Sequence, residues 1–354
     1  MSKVLLVGDT HVYRHKQIPS RQEDCLNCLH WAVDVARKNQ IKNLIHLGDV
    51  FHDKIRIYTL LYQQVYQILR NSSDINFTLL LGNHDMWYMD NNRGDVSSIE
   101  PFGSLPNVKV VSRAETLNYD GIPVDFIPYS HDPVAEISKF KNKSQVMMGH
   151  LAVDNAVLNV VKKTRSEVEI ESDADMIPVT TGFFKGWERV FLGHYHGAQV
   201  IDGFVEYVGS NLQLTWNEAH QQKHIIALDL KTLSCEYVIN DFSPKHLILS
   251  PEEAKEIDLS NNFVRIEVEA IDKSDVIALK SEILSKYQDR PAPIELNFIE
   301  KKKAVEESVS PEEQKKFKMV TGDHIIRFIE AVGTAGLDKE LITEIGQNIV
   351  SGEL

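Results

Sequence analysis

The stretch VLLVGDTH, residues 4–11, sets the reading of this chain. Val4 to Val7 form a short apolar run of the kind that makes a buried strand. Gly8 then lets the chain turn, and Asp9 and His11, on alternate residues, fall on one side of an extended segment. The phrase returns four more times without a fixed period: LIHLGD to Asp49, TLLLGN to Asn83, VMMGH to His150 and VFLGH to His194. One such phrase occurs in many folds. Five, each presenting Asp, Asn or His where open sheets bind ligands, are not explained by core packing. The expectation is an α/β (α+β layered) fold with its site at the strand ends.

Between the phrases, Gln22–Asn39 and Thr59–Arg70 carry helical periodicity, the first with Cys25, Cys28, Leu29, Ala32, Val33 and Ala36 on one face. Residues 91–107 read as a loop, residues 108–112 and 124–130 as strands, and residues 154–186 lack a regular pattern. Past FVEYVGSN (204–211) and a strand pair at His224–Leu230 and Glu236–Ile239, the character changes near Ser243-Pro244. A β-α-β pattern follows, with strands at Phe263–Val268 and Ile294–Ile299 around a helix at Ser274–Tyr287. The predicted parts are a domain carrying the five phrases over 1–243, a separate small domain over 244–300, a charged linker over 301–320 and a helical pair over 321–354.

Composition narrows the class. The 354 residues suit two or three domains and carry a net charge of −13, which disfavours bulk attraction to nucleic acid or anionic membrane. No apolar stretch approaches the ~18 residues of a membrane-spanning helix, the start lacks the pattern of a signal peptide, and three cysteines make no disulfide framework. The expectation is a cytoplasmic protein. Cys25 and Cys28 form a C-x-x-C without a second pair and are expected to pack a helix rather than bind zinc; His46, inside a strand, is expected in the core.

Asp9, His11, Asp49, Asn83, His150, His194 and His196 make an all-oxygen and nitrogen ligand set. Singly, each has an ordinary reading as a turn former, helix cap or satisfied core residue. Together they suit Mn²⁺, Fe²⁺ or Zn²⁺, and seven ligands exceed the needs of one tetrahedral ion, so two metals sharing a carboxylate are expected. Arg14, Lys16 and Arg21, in the loop after the first phrase, could meet phosphates, and a solvated loop explains them nearly as well. Trp87, Tyr88 and Met89 could wall a cleft or simply pack their loop.

GDTH, GDVFHD, GNHD, GH and GHYH, in that order over Gly8–His196, resemble the five motifs of the calcineurin-like metallophosphoesterase superfamily. The resemblance implies a metallophosphoesterase β-sandwich flanked by helices and a two-metal centre. It assigns Asp9, His11 and His196 to one metal, Asn83, His150 and His194 to the other, and Asp49 to the bridge. His84 matches the catalytic histidine that binds no metal. GDVFHD and GNHD differ from the GDxVDRG and GNHE of protein Ser/Thr phosphatases, and His52 matches a second active-site histidine of the SbcD-like DNA double-strand-break nucleases. In size and short tail the chain resembles that family's phage-encoded members. The likeness implies a nuclease in DNA recombination and repair that uses two divalent ions, Mn²⁺ foremost, with Mg²⁺, Fe²⁺ and Zn²⁺ the other fitting ions. It further implies a DNA-binding cap, an SbcC-like, SMC-related ATPase docked on residues 321–354, and a homodimer within a heterotetramer. The rival readings are a stand-alone cyclic-nucleotide phosphodiesterase and a scaffold with a dead site.

Overall fold

Alternation inside the apolar runs decides which layer each residue fills. In the computed structural model, which describes residues 2–13, 19–87, 96–156, 177–269, 277, 278, 281, 282, 285 and 295–301, both faces of the central strands are covered. Contacts divide the chain into a unit over Met1–Glu300 and a second over Lys301–Leu354. The predicted linker and helical pair lie outside the described residues except for Lys301, as do 157–176 and most of the helix expected at Ser274–Tyr287.

The strands are β1 (Lys3–Val7), β2 (Asn43–His46), β3 (Asn76–Leu80), β4 (Val108–Val111), β5 (Glu115–Tyr119), β6 (Ile122–Ile127), β7 (Val146–His150), β8 (Arg189–Gly193), β9 (Gln199–Ile201), β10 (Val205–Tyr207), β11 (Lys223–Asp229), β12 (Cys235–Asn240), β13 (His246–Leu249), β14 (Phe263–Glu269) and β15 (Glu295–Lys301). The helices are α1 (Pro19–Lys38), α2 (Thr59–Asn71), α3 (Pro133–Ser138) and α4 (Pro251–Glu256). Two six-stranded sheets run in the orders β12-β11-β1-β2-β3-β4 and β5-β6-β7-β8-β10-β9, and a third joins β13, β14 and β15. β1 to β4 are parallel, as are β6, β7, β8 and β10, so each sheet gathers the carboxyl ends of its phrase-bearing strands at one end.

In the first sheet Val4, Leu6, Ile45, Leu47 and Leu80 face the second, where they meet Phe126, Val146, Met148 and Phe191. Their neighbours Leu5, Val7, Leu44, Phe77 and Leu79 face α1 and α2. On the outer side of the second sheet, Ile127, Met147, Val190 and Leu192 pack with Ile137, Phe184 and Trp187. This double covering is why the strands read as unbroken apolar runs. Burying each such Leu, Ile or Phe contributes roughly 1.5–3 kcal/mol.

Helix α1 starts three residues before the predicted Gln22, at Pro19, whose missing N–H costs nothing in a first turn. The predicted loop 91–107 contains a 3-10 turn at Glu100–Ser104. It forms because Phe102 is buried against Tyr62 and Phe51, with ring centroids 4.8 and 6.1 Å away.

Cys25 and Cys28 are buried on the inner face of α1. Burial pushes the Cys28 thiol up to about 12, despite hydrogen bonds with Ser243 and Asn240. It therefore stays protonated in the fold while an unfolded thiol, near 9, ionises. A raised pKa on an acid means stability that is present below pH 9 and lost between 9 and about 12. The unfolding free energy from urea titration should fall from pH 8 to pH 10, by at most about 1.4 kcal/mol per pH unit from this group, and Cys28→Ala should flatten the slope.

Candidate metal centre

The centre forms where the carboxyl ends of the two sheets meet. Asp9, His11, Asp49, Asn83 and His150 are buried, while His52, His84, His194 and His196 are partly open. Gly48 is a point of close approach, with φ +104 and a Cβ position that would lie 2.9 Å from Gly82 Cα and in collision with the His150 ring. Only a residue without a side chain lets β2 and β3 end so near β7. His11, Asp49 and His194 hold left-handed φ of 48°, 55° and 100°, a conformation that costs a non-glycine residue of order 1–2 kcal/mol.

Hydrogen bonds hold that backbone. The Asp49 carbonyl accepts the N–H groups of Thr10 (3.2 Å) and His11 (3.0 Å), and its carboxylate accepts the His84 N–H at 2.8 Å. Asp9 Oδ1 accepts the His194 N–H at 2.9 Å, across the two sheets. Asp85 accepts from Gly82, Phe51 and Val50 at 3.2, 3.0 and 3.3 Å, tying the second and third phrases together. Burial and the charge of Asp49 push its carboxyl up to about 7.

Asp49 Oδ2 lies 3.5 Å from His11 Nε2 and 3.4 Å from His150 Nε2. His150 Nδ1–H donates to the Leu47 carbonyl at 2.8 Å, which turns Nε2 to Asn83 Oδ1, also at 2.8 Å. The Nε2 atoms of His11 and His196 are 3.0 Å apart. Among the described residues, three sets of ligand atoms each lie within 4.8 Å: Asp9, His11 and Asp49; Asp49, His150 and His194; and His11, His52 and His84. The first two share Asp49. His52 stacks on His84, with centroids 5.2 Å apart and planes 14° apart, and its Nδ1 is 3.1 Å from His11 Nδ1.

The electrostatics match this crowding. Burial pushes the Asp9 carboxyl above its ordinary range, partly offset by His150. Burial acts the same way on Asp49, but His150, His84 and His11 hold it well below that range. Burial opposes charge on His150, yet Asp49 and Asp9 carry it up to about 9. On His11 burial wins and holds the imidazole well below its ordinary range. Burial and neighbouring His84 bring His52 down to about 4, so it is neutral at pH 7.

The donor set fits divalent cations. Asp9 Oδ2 is buried with no hydrogen-bond partner, which is costly unless a cation lies against it. Carboxylates, an amide oxygen and imidazole nitrogens are the ligands of Mn²⁺, Fe²⁺ and Zn²⁺.

The seven ligand residues expected from sequence, with His84 and His52, thus lie together. Arg14, Lys16, Tyr88 and Met89 are outside the described residues, and of Arg21 only helical backbone is described. Trp87 is partly buried, and its N–H donates to the Val96 carbonyl. His46 is buried, with Nε2 2.8 Å from Thr10 Oγ1, and Asn211 Nδ2–H donates to the same hydroxyl at 3.0 Å. Sequence reading missed Asp85, Ser210, Asn211, Glu218 and Lys223. FVEYVGSN carried a usable signal, being a sixth apolar run that ends in Gly and polar residues.

The calcineurin-like phosphoesterase family model matches residues 2–215. Exonuclease subunit 1 of Enterobacteria phage T4 is 25% identical over 279 residues, covering 77% of this chain and 78% of that protein. The SbcD subunit of nuclease SbcCD from Staphylococcus saprophyticus is 22% identical over 262 residues, covering 65% of this chain and 66% of that protein. Among solved structures, an archaeal phosphodiesterase covers 67% of this chain and 99% of its own at 12% identity and a TM-score of 0.33.

Gly48→Ala should lower the thermal midpoint and weaken divalent-ion binding. Gly121→Ala shares the backbone penalty, with φ +85, but its Cβ would meet nothing within 4 Å. It should lose only about 1–2 kcal/mol and bind metal normally. Thermal unfolding and metal titration of both variants separate close approach from backbone strain.

Proposed function

The chain belongs to the calcineurin-like phosphoesterase family, and from that premise we propose that it is the nuclease subunit of a two-component DNA recombination and repair enzyme. The family is one of metal-dependent phosphoester hydrolases. The observation that carries the finer reading is His52 stacked on His84 beside two ligand clusters that share Asp49. Both curated relatives are named as nuclease subunits, which supports DNA as substrate and an SbcC-like ATPase as partner.

In this reading Asp9, His11 and His196 would hold one divalent ion and Asn83, His150 and His194 the other, with Asp49 shared between the two sets, and Mn²⁺ is the ion expected. Such ions, when bound, supply the positive charge that draws in a phosphodiester and the acidity that makes a nucleophile of water near neutral pH. The remaining work falls to this chain's own side chains. His84 Nδ1–H donates to the His52 carbonyl at 2.6 Å, so the proton His84 exchanges sits at Nε2. As the acid that protonates the leaving oxygen it must enter the step as imidazolium, and it departs neutral with Nδ1–H still held. If His11 ligates through Nε2, its Nδ1–H donates to His52 Nδ1 at 3.1 Å. His52 Nε2–H is then a donor for a phosphate oxygen.

The wider assembly belongs to the same proposal: residues 244–300 as a cap that meets DNA, 301–320 as a linker, 321–354 as the ATPase dock, and a homodimer of this chain inside a heterotetramer. Arg14, Lys16 and Arg21 would supply phosphate contacts. No helix among the described residues is long and apolar enough to cross a membrane.

With Mn²⁺, linear duplex DNA should be cleaved, faster in the presence of the ATPase, and cyclic AMP should be a poor substrate. Efficient turnover of cyclic AMP with no DNA cleavage, ATPase included, would overturn the nuclease reading. His84→Ala should keep both ions and lose turnover by about 10²–10⁴-fold, the usual contribution of a proton-transfer group. Metal content paired with a single-turnover rate checks it, and a near-normal rate removes the assignment.

A further inference from the structure

Of the histidines in the centre, His196 is held by a structure of its own. Its Nδ1 lies 3.2 Å from Glu218 Oε1, while Nε2 faces His11. Glu218 is buried, and its carboxylate also accepts from Ser210 Oγ at 2.9 Å and from the Leu214 and Thr215 N–H groups at 3.2 and 3.1 Å. Lys223 Nζ stands 2.6 Å from the same carboxylate and donates to the His196 carbonyl at 2.8 Å. Lys223 thus grips His196 at its backbone and, through Glu218, at its ring. The turn that carries Glu218 (Trp216–Glu218) is clamped from the third sheet, with Arg265 4.3 Å over the Trp216 ring and His246 4.9 Å from it.

The geometry points to Glu218 as a positioning residue that fixes His196 in the tautomer whose bare Nε2 faces the metal centre. A carboxylate saturated by donors accepts and cannot donate, so the proton of neutral His196 must sit on Nδ1. Nε2 is then left with its lone pair beside His11 Nε2, where a cation would join the two. A carboxylate behind a ligating imidazole also raises its basicity, and losing such a partner usually weakens metal affinity by about 10- to 100-fold. A buried Glu-Lys pair that only braced the fold would leave the ring's tautomer indifferent.

The inference rests on the metal-centre reading above, and the test separates the two. The full chain is titrated with Mn²⁺ alone by calorimetry, and the histidine tautomers of the metal-free chain are read from long-range ¹H–¹⁵N imidazole correlations. The variants are Glu218→Gln, whose amide can donate as well as accept, and Glu218→Asp, which keeps a charge for Lys223 but draws it back by one methylene. We expect wild-type His196 to be protonated at Nδ1. In either variant that preference should be lost, and one of two Mn²⁺ sites should weaken by about 10- to 100-fold. Wild-type tautomer and wild-type affinity at both sites, in a folded variant, overturn the role of Glu218 alone. Failure of the wild-type chain to bind Mn²⁺ overturns the metal-centre reading and this inference with it.

Discussion

Everything at the centre depends on one buried carboxylate in a strained backbone. Asp49 sits at φ 55°, with its carbonyl holding Thr10 and His11 and its carboxylate holding the His84 N–H. The same carboxylate stands within 3.5 Å of His11 and His150, which come from opposite sheets. One residue therefore fixes the geometry of three phrases at once. Positive φ at Asp49, His11 and His194 is the kind of strain that persists only when surrounding contacts over-determine it. Here those contacts are backbone donors, in a donor set that could also hold divalent ions.

Glycine makes that convergence sterically possible. The ends of the two sheets approach until main chain meets imidazole, at Gly48 against His150. A Cβ at that point would drive the sheets apart and carry the ligand atoms with them. Behind the contact, the interdigitated layer of Leu6, Ile45, Leu47, Phe126 and Met148 holds the sheets at a fixed distance. The packed interior cannot adjust gradually, so the site inherits its rigidity.

A second set of buried groups works one layer out. His150 is turned by the Leu47 carbonyl, His84 by the His52 carbonyl and His196 by Glu218. In each case the acceptor lies on a different segment from the ring it orients, or on the far side of a turn. Glu218 is the costly one, since a buried carboxylate must be paired and fully hydrogen-bonded, and breaking such a pair typically costs about 3–5 kcal/mol. Lys223 and four further donors meet that requirement.

The sequence by itself determined the strands that carry the phrases, the order of the motifs and the residue types that stand at their ends. Short apolar runs ending in Gly and a polar ligand are local patterns, and local patterns survive without a fold. It also placed Cys25 and Cys28 on a buried helix face, because helical periodicity is local too. Only the tertiary structure decided how the ligands meet. Asp85 looked like the tail of a motif until three backbone N–H groups from two segments were seen to converge on it. Glu218 and Lys223 carried no signal, since an isolated Glu or Lys reads as solvated surface until the fold buries both beside His196. The turn around Phe102 was likewise settled by packing that no local pattern encodes. Desolvation is the reason for the difference: burial gives these polar groups their energetic weight, and it is a property of the assembled layers rather than of any stretch of chain.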